Sequence, residues 1–149
     1  MTARTAAQHT PAELRYTACD DTTGIVHFQA ASASTPGKVN TVSYDTITGA
    51  THCDCAAALI GTHSCWHADL APLAWTQHPA MQEVRWLTDA RLAAYGRKLA
   101  GMVAIYRARI GRVLPADALN LLAARAEWRE RAAGAAPLAS FPVAVAVAA

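Results

Sequence analysis

Along residues 16–45 apolar and polar side chains alternate in short runs. Residues 16–20, then Ile25-Val26-His27-Phe28-Gln29-Ala30, then Val39-Asn40-Thr41-Val42-Ser43-Tyr44-Asp45 carry β-branched and aromatic residues at a period near two. That period predicts three strands with one face turned to a core. Asp21-Thr22-Thr23-Gly24 and Ser34-Thr35-Pro36-Gly37-Lys38 are turn sequences between them, and a further turn over 46–49 leads into Ala50-Thr51-His52-Cys53-Asp54-Cys55, a fourth extended piece. Connections this short predict antiparallel neighbours. Upstream, Thr10-Pro11-Ala12-Glu13 has the form of a short helix entry.

Beyond Trp66 the period lengthens to that of a helix. Residues 69–75 read as a short helix that Pro72 keeps irregular, and Pro79 reads as a break. The strongest periodic segment starts after Thr88, a side chain suited to N-capping. Its apolar residues Leu92, Tyr95, Leu99, Met102, Tyr106, Ile110 and Val113 recur at spacings of three and four. The residues from Gly111 to Leu114 end it, and Pro115 suits the first position of a second helix. Leu119, Leu122 and Ala126 give that helix a narrower apolar face before Gly134. After it, Pro142 and a run of alanines leave little to pack, so 135–149 reads as a flexible tail, with an edge strand over 143–147 as the alternative.

Composition narrows the class. About a quarter of the residues are alanine, which favours helices and accounts for a mean hydropathy of +0.13 without many bulky side chains. No stretch approaches the roughly 20 apolar residues of a membrane span, and the first residues lack the apolar core of a secretory signal. A cytoplasmic protein is expected. In a reducing compartment four cysteines argue for ligands more than for disulfides, and three of them fall within residues 53–65.

Cys53-Asp54-Cys55, nine residues, then Cys65-Trp66-His67 supply the ligand set of a structural Cys₃His zinc site. Residues i and i+2 of an extended segment point to one face, so Cys53 and Cys55 can grip one ion if the strand end curls into a knuckle. Gly61-Thr62 supplies the turn that returns the chain for Cys65 and His67. A site using His63 in place of His67 is the alternative, with His52 a more distant one. Cys19 reads as a small core residue, and His9, His27 and His78 as surface or satisfied core histidines. The fold class expected is α+β: a small antiparallel β-meander with a zinc knuckle and short helix, followed by an α-helical hairpin. Its domains would be a zinc-binding unit over 1–78 and a basic helical hairpin over 79–134.

Cys53, Cys55, Cys65 and His67 resemble the SWIM zinc-finger signature, C-x-C, a variable loop, then C-x-H. The strands before the first pair and the small and aliphatic Ala68, Leu70 and Ala71 after the histidine agree with it, and the resemblance covers about 16–75. Ala56-Ala57-Ala58 and Trp66 stand where that family often has a proline with an aromatic, and a basic residue. The resemblance implies a Zn2+ cofactor and a DNA-binding or protein-interaction module of the kind found in chromatin-remodelling ATPases, transposase-related proteins, ubiquitin ligases and recombination mediators.

Charge divides the chain. Residues 1–80 carry three cations and six anions, residues 81–149 ten and five, within a net charge of +2. On a helical wheel Arg91, Lys98, Arg109 and Arg112 flank the apolar stripe, a candidate strip for phosphates; a plainly solvated helix face has the same pattern. Arg125, Arg129 and Arg131 are interleaved with Glu127 and Glu130, and Glu127 can pair with Arg131 at i, i+4. The leading expectation is a small zinc-binding, nucleic-acid-associated protein holding single- or double-stranded DNA by its backbone, an accessory in recombination, repair or mobile DNA. The alternative is a zinc-stapled adaptor that offers the 92–113 helix to a protein partner or to a second copy. Four protein ligands leave a zinc no open position, and no deaminase, phosphate-loop or nucleophile-elbow motif occurs, so no enzymatic activity is expected.

Overall fold

Two aspartates fold the meander. Asp20 and Asp45 each end a strand and turn a carboxylate onto the bend that follows: Asp20 Oδ1 accepts from the Thr22 N–H at 2.9 Å and Asp45 Oδ1 from the Ile47 N–H at 2.8 Å. Gly24 completes the first bend at φ 81°, where a side chain would be strained, and a Cβ there would stand 2.8 Å from Ile47. The Thr46 N–H and hydroxyl both donate to the Gly24 carbonyl, at 3.0 and 2.8 Å. The two bends are thereby tied together at one end of the sheet.

The computed structural model describes residues 9–60 and 65–134; the 135–149 tail, His63 and the Gly61-Thr62 turn lie outside the described residues. Strands β1 (Arg15–Asp20), β2 (Ile25–Ala31), β3 (Val39–Asp45) and β4 (Thr51–Cys53) form one antiparallel sheet in chain order. Val26, Phe28, Ala30, Val42 and Cys53 form its buried face, with Phe28 opposite Val42 and Val42 opposite Cys53. Two short helices follow, α1 (Ala56–Leu59) and α2 (Trp66–Thr76). Helix α2 packs on β2, β3 and β4 through Ala71, Ala74 and Trp75. It starts three residues earlier than expected because Cys65 caps it, its Sγ accepting from the Ala68 N–H at 3.4 Å. Pro72 sits inside it and forgoes one helical hydrogen bond.

Between His78 and Pro79 the chain divides into two compact units. The second holds α3 (Pro79–Arg85), α4 (Asp89–Ile110) and α5 (Pro115–Gly134). Pro79 opens α3 rather than breaking the chain, because its missing N–H costs nothing at a helix's first position. Thr88 caps α4 through the Arg91 N–H, and Gly111 ends it at φ 70°. Leu92 and Leu99 of the expected α4 face are buried, and Leu99 clusters with Val103 and with Leu121 of α5. Val103 and Gly96 replace Ile110, which is exposed, so the buried face is rotated from the expected stripe. Helix α5 buries Ala118, Leu121, Leu122, Ala123, Ala124 and Glu127, a wider face than Leu119, Leu122 and Ala126, because both α3 and α4 pack on it.

Charge ties this unit together as well. The buried Glu127 carboxylate lies 2.7 Å from Arg131 Nε and 3.6 Å from Arg85 Nε. Arg131 also donates to Asp89 and to the carbonyls of Val84, Arg85 and Leu87, which lie at the end of α3 and just beyond it. One guanidinium thus satisfies acceptors that the helix leaves open, and Asp89 and Glu127 raise its pKa, the Asp89 hydrogen bond most. Removing Glu127 takes from Arg85 and Arg131 the buried partner they share, and leaves them only the more exposed Glu130 and Asp89 as ion-pair partners. Glu127→Ala is expected to lower the unfolding free energy by about 2–4 kcal/mol, read as a shift of the urea midpoint followed by helical circular dichroism. An unchanged midpoint would show that the network adds nothing.

Candidate metal centre

Each half of the candidate site grows from the end of an element. β4 ends at Cys53, and the extended residue Cys55 then caps α1, so both sulfurs leave the same side of the chain. Asp54 between them points away, its Oδ1 accepting from the Thr41 N–H at 2.7 Å while its own N–H donates to the Thr41 carbonyl at 3.2 Å. This two-way clamp on β3 orients the knuckle, and it occupies the acid nearest the cysteines. The other half is the start of α2, with Cys65 at its cap and His67 as its second residue.

The four side chains converge. Cys53, Cys55, Cys65 and His67 are buried, and one ligand atom from each lies within 4.8 Å of the others. Cys53 Sγ is 3.7 Å from His67 Nδ1, close to the ~3.6 Å edge expected between sulfur and nitrogen on a tetrahedral zinc. All four cysteines are free thiols. Burial pushes the Cys53 and Cys65 thiols up from the ordinary range. Cys55 is held below it, because the N–H groups of Ala58 and Ala57 and the two neighbouring thiols outweigh its own burial. Burial, reinforced by His9, lowers the pKa of His67 and keeps the neutral imidazole, the form that binds metals. The donor set therefore fits a metal ion: three thiols and a neutral imidazole, closely spaced and screened from water, are what a soft or borderline cation requires.

A ring stack backs the histidine. Trp66 lies 3.9 Å from the His67 ring on one side and 3.8 Å from His9, parallel within 2°, on the other. His9 is in turn held by Glu13 at 2.9 Å. His67 Nε2 is buried without a well-formed hydrogen bond, although the Ala31 main chain is near enough to favour the protonated ring. The stack thus does the orienting that a hydrogen bond to the second ring nitrogen usually does in metal sites. No feature of the sequence connects His9 to Trp66, and this support was not legible there.

The remaining candidates lie elsewhere. His52 is exposed on β4 opposite Ser43, and Cys19 is half-buried on β1 beside Tyr16; neither joins the cluster. His27 bonds Ser43 at 3.0 Å and His78 packs edge-on against Tyr16. In the helical unit Arg91, Lys98 and Arg109 are exposed on α4, seven and eleven residues apart, which are two and three turns and so one line. Arg112 is exposed beyond the helix end. Among the described residues none of these four side chains is in an ion pair, in contrast to Arg85 and Arg131. No helix of the described residues is long and apolar enough to cross a membrane.

No family model matches the chain, and none of the curated proteins or solved structures matches it. Its function must be read from its own residues. Cys65→Ser is an informative change, because serine keeps the helix cap and removes a thiolate. It is expected to cost several kcal/mol of the ~10 kcal/mol or more that a structural zinc supplies, unfolding the 1–78 unit while the helical unit survives. Loss of near-UV dichroism and of metal binding, with most of the helical signal kept, checks this. An unchanged spectrum and metal content would contradict it.

Proposed function

We propose that Cys53, Cys55, Cys65 and His67 hold a structural Zn2+ in a SWIM-like knuckle, and that the protein is a nucleic-acid-associated accessory binding DNA by its backbone. The metal reading is carried by the buried convergence of the four ligands. It supports a structural rather than a catalytic ion, since four protein donors close a tetrahedral shell and the nearest acid is committed to Thr41. The SWIM resemblance rests on those same residues and their order along the chain. A place in recombination, repair or mobile DNA follows from the resemblance alone.

The nucleic-acid reading is supported by the unpaired line of Arg91, Lys98 and Arg109, with Arg112 past its end. Cations serving the fold are locked here, as Arg131 is by Glu127 and Asp89. These four are left to the solvent and to an anionic partner. The adaptor reading draws on the exposed Ile105 and Ile110 of the same helix, its buried stripe being already covered by α5.

Salt separates the two. If four phosphates are neutralised, log affinity for duplex DNA should fall against log salt with a slope of about −3.6, measured by fluorescence anisotropy on the zinc-loaded chain. Lys98→Gln should make the slope shallower by about one. A flat slope, or complex formation with a protein that ignores salt, would replace the DNA reading with the adaptor.

A further inference from the structure

Trp86 is the most exposed of the large apolar side chains among the described residues, at 86%. Tryptophan is among the residues a protein most gains by burying, and Trp75 in the same chain is 2% exposed. The turn that carries Trp86 is not loose. The Leu87 N–H bonds the Val84 carbonyl at 3.1 Å, and Arg131 grips the carbonyls of Val84, Arg85 and Leu87. The backbone on both sides of Trp86 is therefore pinned while its indole is left in water.

On the side of α4 one cation, Arg91, and one acid, Glu83, lie near this turn. Arg91 lines a groove of about 250 Å³ with Val84, Leu87, Glu83 and Tyr95, so this arginine and the residues flanking Trp86 share one surface. Asp89, the other acid nearby, is neutralised by Arg131 at 2.8 Å. From Arg91 the line of Lys98 and Arg109 continues along the helix for about 27 Å. A solvent-facing indole on a pinned turn, five residues before the first cation of an unpaired line, offers the pairing that single strands recognise: an aromatic face for a base and charges for the backbone. A duplex keeps its base faces inside its own stack and has no use for the indole.

We propose that Trp86 is a stacking platform for a base of single-stranded nucleic acid whose phosphates run along Arg91, Lys98 and Arg109. This rests on the nucleic-acid reading above and specifies its substrate class. The test is fluorescence anisotropy on the full zinc-loaded chain with labelled oligo-dT, oligo-rU and a hairpin duplex of equal length, for the wild type, Trp86→Ala and Trp86→Phe. Single strands should bind more tightly than the duplex, and Trp86→Ala should weaken them about 10- to 100-fold while Trp86→Phe keeps most of the affinity. Duplex binding and the melting temperature should not move, since the side chain is exposed. The dT and rU arms tell DNA from RNA. Unaltered single-strand affinity in Trp86→Ala overturns the inference and leaves the nucleic-acid reading intact; absence of binding to every oligonucleotide overturns that reading first. Loss of a dimer in Trp86→Ala without change in oligonucleotide binding assigns the indole to self-association instead and overturns the inference.

Discussion

Three thiols and an imidazole cannot share a dry pocket cheaply. Ionised, the sulfurs repel one another and have lost their water; protonated, they are poor partners for one another and for the ring. A cation among them would resolve the conflict, and the short elements of the N-terminal unit meet at these four side chains. β4 is only three residues long, α1 only four, and α2 carries an internal proline. Elements this short have little propensity of their own. What they share is that each begins or ends at a ligand. The Asp54 clamp on Thr41 and the His9–Trp66–His67 stack hold those ends in place.

The helical unit solves a different problem by different means. Its core is rich in alanine, which lets helices approach closely but buries little area per residue. The Arg85–Glu127–Arg131 network adds direction: it ties α5 to α3 and to the first turn of α4 at named carbonyls. The same network fixes the turn that bears Trp86 and leaves Arg91, Lys98 and Arg109, exposed on α4, outside it.

Features set by near neighbours were legible in the sequence. The period of two, the turns over 21–24 and 46–49, the Thr88 cap, the Gly111 stop and the Pro115 start each depend on a few adjacent residues, and the strands and long helices follow from them. The clustering of Cys53, Cys55, Cys65 and His67 was legible because their spacing is itself the signal. Helix α2 began early because its cap is a cysteine, outside the usual capping residues, and α3 was missed because proline was read as a stop where it serves as a start. The width of the α5 face, the Arg131 carbonyl contacts and the stacking of His9 on Trp66 depend on residues far apart in the chain, and no local pattern encodes them.

The central claim is that Cys53, Cys55, Cys65 and His67 form one closed metal site. Titration of the metal-free chain with Co2+, followed by absorption spectroscopy, tests it most directly. Saturation is expected at one equivalent, with the strong visible bands of tetrahedral cobalt and thiolate charge transfer, and displacement by Zn2+. Weak octahedral bands, or no saturable binding, would contradict it.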